Sequence, residues 1–159
     1  MKRMILLLAA ALLLFFLTGC TQPEDNTCQF YYLRTADTIQ YGQEDALIAP
    51  VSRTIAGQDA GLNYLIQLYL EGPAEEVYRS PIPKGTYLLS TLWEEDTLVL
   101  VFSREFSQLD NMNLTLAGAC LSATCHDLAG AEHIQVRSGD SIYDFYLNNY
   151  TFLEVSTGQ

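Results

Sequence analysis

YLIQLYLEGPAEEVYRSPIPKGTYLLSTLWEEDTLVLVFSREF, residues Tyr64 to Phe106, is the stretch whose reading decides the fold. Leu62, Leu65, Ile66 and Tyr69 stand at the i, i+3, i+4 and i+7 positions of one helical face, and Leu68 and Leu70 widen it. Gly57-Gln58-Asp59 supplies a breaker and a capping residue before this face. Gly72 suits a left-handed cap and Pro73 cannot continue a helix, so a helix is predicted over 61–71. Ala74 to Ser80 reads as an acidic, exposed segment, after which Pro81, Pro83 and Gly85 fix a rigid entry to the next element. Leu88 to Trp93 and Leu98 to Phe102 then flank an acidic turn, Glu94-Glu95-Asp96-Thr97, and predict a β-hairpin. Its second arm is a continuous apolar run, which suits a central strand covered by helices, although run length alone does not separate it from a buried helix segment.

Working outward, Phe30-Tyr31-Tyr32-Leu33 has strand composition, Thr35 to Asp45 reads as a polar loop, and Leu47 to Ile55 returns to strand. Pro50 removes a ladder donor from that second run, which places it at a sheet edge or breaks it. Beyond Phe106, Asn111 or Asn113 can cap a helix whose apolar or small positions 114, 117, 120, 121, 124, 125 and 128 keep helical spacing until Gly130. Ile134 and Val136 make a short alternating strand, and Ser138-Gly139-Asp140 is a turn. The aromatic tail, Tyr143, Phe145, Tyr146, Tyr150 and Phe152 around Asn148-Asn149, suggests a final hairpin. The order of elements predicts an α+β fold: a two-layer sandwich with a mainly antiparallel sheet and two helices packed on one face.

The N-terminus reads as an export signal. Lys2 and Arg3 precede fourteen apolar residues, Met4 to Leu17, too few for a membrane span of ~20. Leu17-Thr18-Gly19-Cys20 matches the lipobox of bacterial lipoproteins, which makes Cys20 the expected lipidation site and residue 20 the new first residue. Residues 1–19 are then the signal peptide, 20–27 a lipidated cysteine and flexible tether, and 28–159 a single domain with its core at about 45–140. Loss of Lys2 and Arg3 leaves six basic side chains against nineteen acidic ones, a formal charge of −13. Such a surface repels nucleic acid and gains nothing from anionic lipid. Attachment to the outer face of the cell membrane therefore rests on the acyl chains of Cys20, the one covalent lipid expected; no cofactor or metal is expected. Cys28, Cys120 and Cys125 make an odd set. Cys120 and Cys125 diverge by roughly 140° on a helix and read as small buried hydrophobes, while a pairing of Cys28 with either stays open.

The ordered motifs resemble those of a GerMN domain, the module of bacterial sporulation and spore germination lipoproteins. The resemblance is carried by Pro50-Val51-Ser52-Arg53-Thr54-Ile55, Tyr69-Leu70-Glu71-Gly72-Pro73, Ile82-Pro83-Lys84-Gly85-Thr86, Val101-Phe102-Ser103-Arg104-Glu105-Phe106, and the run from Leu128 to Val136. It implies a βαββαβ-like fold, similar to the ring-building modules of secretion machineries, acting outside the cytoplasmic membrane. It carries over no catalytic residue. The germination protein resembles two such modules in tandem, whereas this chain has room for one.

The residues offer little to an enzyme. Cys125-His126-Asp127 contains a nucleophile, a base and a carboxylate, but consecutive helical residues point about 100° apart and form no relay. His133 lacks a second histidine at metal spacing and reads as a surface residue, and Glu75-Glu76 and Glu94-Glu95-Asp96 read as solvated turn charges. Ten tyrosines and one tryptophan point instead to binding, because such side chains combine apolar area with a polar tip. The candidates are Tyr143, Tyr146 and Tyr150 in the tail, with Trp93 and Tyr87 as a second surface; packing of all five within the domain is the competing reading. The expected function is a non-enzymatic interaction or assembly module in sporulation, germination or envelope maintenance, engaging protein partners and with homo- or hetero-oligomerisation open. Recognition of a small ligand or peptidoglycan fragment is the alternative.

Overall fold

The computed structural model describes residues 26–36, 46–55 and 60–150; the signal, Cys20, the loop around Gly42, Asp59 and Phe152 lie outside the described residues. Among the described residues seven strands, β1 (Asn26–Arg34), β2 (Ile48–Ile55), β3 (Tyr78–Arg79), β4 (Leu88–Glu94), β5 (Thr97–Phe102), β6 (His133–Ser138) and β7 (Ser141–Tyr146), accompany two α-helices, α1 (Leu62–Leu70) and α2 (Asn111–Ala129). The fold is α+β, and both helices pack on one face of the larger sheet, with Leu65, Ile66, Ala117, Leu121 and Cys125 meeting Leu98, Leu100, Phe102, Ile134, Val136 and Phe145 in one core.

The β-structure is divided into two sheets in place of the single one expected: an antiparallel set in the order β2-β1-β3 and a set in the order β4-β5-β6-β7, whose β5–β6 pair is parallel. The division has a local cause. Tyr31 turns its backbone away from β2, donating its N–H to Thr124 Oγ1 on α2 at 3.0 Å and accepting from the Tyr69 hydroxyl of α1 at 3.2 Å. Side chains from two helices thus occupy the edge of β1 at Tyr31, two residues before β3 takes up the same edge at Leu33 and Arg34. The same geometry explains Pro50, which faces Tyr31 across the β1–β2 ladder. The two residues form a non-hydrogen-bonded pair on an edge strand, so the missing proline N–H costs no ladder bond.

Three further details depart from the sequence reading. Asp110, in extended conformation, caps α2 by accepting from Asn113 N–H at 2.9 Å, a position the apolar periodicity had given to Asn111 or Asn113. A carboxylate there also complements the positive end of the helix. Within the supposedly exposed segment before Pro81, Tyr78 and Arg79 add a short third strand to Arg34 and Leu33. The tail hairpin turns at Gly139-Asp140, with Gly139 left-handed (φ 57°), and Asn148-Asn149 instead belongs to a 3-10 turn, Leu147–Asn149.

Helix α2 is buried at every position from Ala117 to Cys125. Its small residues let other elements come close: a Cβ on Gly118 would overlap the Phe145 ring and crowd the Tyr150 hydroxyl. Tyr32 stacks on Tyr69 with ring centroids 5.0 Å apart and donates to the Tyr69 carbonyl at 2.9 Å. The three described cysteines are free thiols, Cys28 half-buried and Cys120 and Cys125 buried, so the pairing left open for Cys28 is not made. Burial pushes the Cys120 and Cys125 thiols from near 9 up to about 12.

Three outcomes follow from this packing. Thr124→Val keeps the shape but orphans the Tyr31 N–H, and should lower unfolding free energy by about 1–3 kcal/mol, measured by urea denaturation at unchanged slope. Gly118→Ala should destabilise by about 1–3 kcal/mol, although Ala in a helix ordinarily exceeds Gly by roughly 0.5–1 kcal/mol; a rise in melting temperature would contradict the close Phe145 contact. The thiols of Cys120 and Cys125 and the phenol of Tyr69, all raised by burial, are neutral when folded. Their contribution is complete below the unfolded thiol value and is lost as pH climbs from near 9 toward about 12. Stability should therefore decline on the alkaline side, and a thiol reagent should modify Cys120 and Cys125 only after unfolding.

Candidate binding groove

At one end of the four-stranded sheet, the β4–β5 turn, the C-terminus of α2, the start of β6 and the end of β7 enclose a groove of about 780 Å³. Trp93 reaches it from edge strand β4, Asp96 from the turn, Gly130 from the helix end, Glu132 and His133 from the entry to β6, and Tyr146 and Tyr150 from the tail. Trp93 is 49% exposed and Tyr146 42%. Gly130, left-handed at φ 68°, stops α2 at the groove by donating its N–H to the His126 carbonyl at 2.7 Å.

The wall beside the groove is fixed by polar contacts across the outer face of the sheet. The register sets Thr97 of β5, His133 of β6 and Tyr146 of β7 in one row. His133 Nδ1 meets Thr97 Oγ1 at 2.7 Å, Nε2 meets Asp144 Oδ1 at 3.0 Å, and the ring lies on Tyr146 with centroids 4.1 Å apart and planes 12° from parallel. Asp144 Oδ1 also accepts from Gln135 Nε2 at 3.0 Å. That bond, followed by the contact with His133, holds the Asp144 carboxyl below its ordinary range. Gln135 Oε1 accepts from Arg137 Nε at 2.7 Å, and Arg137 Nη2 reaches Glu94 on β4 at 2.6 Å. Val99 faces this side yet is fully buried, because the Glu94–Arg137 bridge spans β5 and covers it.

The aromatic candidates separate in space. Trp93, Tyr146 and Tyr150 all line the groove, Trp93 from the sheet row of Leu98 on the helix-packed face and Tyr146 from the row of His133 on the outer face. Tyr87 is 52% exposed but stands six residues from Trp93 along the chain, about 20 Å at strand rise. Tyr143 packs inward against Phe106 and Phe145, with ring centroids 5.8 and 6.5 Å away. Asp96, Glu132 and His133 are groove residues that sequence reasoning passed over. Their signal is the cross-strand register, which no local pattern carries.

Chemically the groove offers faces and acceptors. Both nitrogens of His133 are engaged, which leaves it as a support for Tyr146. Cys125 is buried, His126 exposed, and Asp127 accepts from the Tyr31 hydroxyl at 3.0 Å, so these three form no relay. Among the described residues no cluster of three His, Cys, Asp or Glu is placed to hold a metal ion, and no helix is long and apolar enough to cross a membrane.

Comparison with known proteins agrees with this architecture. The first GerMN domain of the sporulation protein GerM from Bacillus subtilis superposes with a TM-score of 0.56 at 13% identity, covering 74% of this chain and 86% of that one. The tandem GerMN domains of the same protein also give 0.56 at 13% identity, with 75% of this chain matched to 41% of theirs. At these identities the likeness is one of fold. No curated protein sequence matches the chain. The family profile for Germane, described as sporulation and spore germination, matches residues 29–140, from β1 to the turn before β7, and the chain therefore belongs to the Germane family of GerMN-type sporulation and germination domains.

Proposed function

We propose that this protein is a lipid-anchored, extracytoplasmic module that acts by engaging a protein partner during sporulation, spore germination or envelope maintenance, without catalysing a reaction. The observation that carries this reading is the groove itself: half-exposed Trp93 lines it from the edge strand, and half-exposed Tyr146 stands on a wall immobilised by His133, Asp144 and Arg137, whose polar groups are bonded to one another. Rigid aromatic anchors with a polar rim are what protein interfaces use for affinity. Family membership supports the sporulation setting. The charged, apolar and small-residue regions before Cys20 support export and acylation there. A second reading, recognition of a peptidoglycan fragment or other small ligand, draws on the concavity of the groove, since about 780 Å³ is within the range of small-molecule sites.

The test has two parts. A fatty-acid analogue fed to cells should label the wild type and leave Cys20→Ala unlabelled. A photo-crosslinking amino acid at position 93 should yield a discrete protein adduct in intact cells, while the same group at exposed position 87 should not. Equal labelling of both proteins defeats the anchor. An adduct from position 93 that muramidase digestion removes would replace the protein partner with a wall fragment.

A further inference from the structure

We infer that the groove selects a cationic nitrogen, and that its occupant is a lysine or arginine side chain presented by the protein partner. The inference rests on the partner reading above and specifies what that partner must carry.

Three features act on the same space. Trp93 is half-exposed where it lines the groove, and the negative quadrupole of its indole attracts an ammonium or guanidinium group. Asp96 and Glu132, both exposed, add two carboxylates side by side, since each immediately precedes one member of the parallel pair Thr97 and His133. The nineteen-residue helix α2 ends at Gly130 on the groove floor, so the negative end of its dipole faces the same volume. Among the described residues no lysine or arginine lines the groove. Arg137, the basic side chain of the adjoining sheet face, is bound to Glu94 and Gln135. His133 has both ring nitrogens engaged by Thr97 and Asp144. An anionic group would meet like charge from both carboxylates and the helix end, and a neutral saccharide would use the indole but leave that combined field without a counterpart. A positively charged side chain uses all three.

Trp93 is the sole tryptophan of the chain, so its emission and its indole N–H resonance read the groove directly. The probe is a short capped peptide containing two lysines, compared with the same peptide carrying Nε-acetyl-lysines, and with an N-acetylglucosamine oligomer. The lysine peptide should shift the Trp93 signals saturably and the acetylated one should not. Because Asp96 and Glu132 are exposed, Asp96→Asn/Glu132→Gln should fold normally by circular dichroism and bind roughly three- to tenfold more weakly. Binding should also weaken as ionic strength rises from ~0.01 M to ~0.15 M and the screening length contracts from about 30 Å to about 8 Å. Equal response to lysine and acetyl-lysine peptides, an unaffected double variant, or response to the oligomer alone would overturn the assignment. Retention of the position-93 protein adduct by the double variant at wild-type yield would overturn the cationic occupant while leaving the partner reading intact.

Discussion

The edge of strand β1 is the constraint around which this fold is arranged. Tyr31 exposes a backbone N–H and carbonyl on the side away from β2, and both are satisfied by side chains: Thr124 of α2 accepts, and the Tyr69 hydroxyl of α1 donates. Thr124 in turn hydrogen-bonds the Tyr69 phenol, which partly opposes the upward shift that burial imposes on it. Unpaired backbone groups in a packed interior cost about 1–3 kcal/mol each, so at Tyr31 the helices stand in for a neighbouring strand, until β3 takes up the same edge at Leu33 and Arg34.

The role explains the unusual composition of α2. A helix that covers a sheet with one stripe has a polar opposite face, but α2 is enclosed on several sides from Ala117 to Cys125 and is built there of alanine, glycine, cysteine, serine and threonine with one leucine. Small residues let β1 approach from one direction and Phe145 with Tyr150 from another. The approach of Tyr150 at Gly118 also ties the chain beyond β7 to the helix, which gives the groove its third aromatic wall. Packing in the middle of α2 and recognition at its C-terminus are therefore linked through the same short segment.

Much of this was legible in the sequence, and the boundary has physical reasons. Helix α1 and the β4–β5 hairpin announced themselves because their determinants are local: the spacing of Leu62, Leu65, Ile66 and Tyr69, the Gly72-Pro73 stop and the acidic turn. Pairings between distant segments were not legible. Nothing local says that β6 joins β5 in parallel, that Tyr78 and Arg79 extend the smaller sheet, or that the edge of β1 belongs to a helix. The same holds at the groove. Trp93, Tyr146 and Tyr150 stood out by residue type, whereas His133, read as an ordinary surface histidine, acquires its place only when register sets it between Thr97 and Tyr146. Tyr143 shows the reverse: strand alternation sends it inward, two residues from Phe145 on the same face, and residue type alone could not tell it from Tyr146.

The electrostatics of the whole chain and of the groove act at different ranges. A formal charge of −11 on the full sequence favours encounter with a basic surface and opposes an acidic one, through a field that salt screens over a few ångströms to a few tens. That field has no address on the surface. The groove supplies one, since Asp96, Glu132 and the end of α2 concentrate negative potential beside half-exposed Trp93. On the adjoining sheet face, by contrast, Glu94 is paired with Arg137, and Asp144 accepts from Gln135 and meets His133, contacts that hold the wall in place. Carboxylates of one sheet end are thus put to two uses: those with internal partners hold the wall in place, and those without a basic neighbour in the groove are left to meet one from outside.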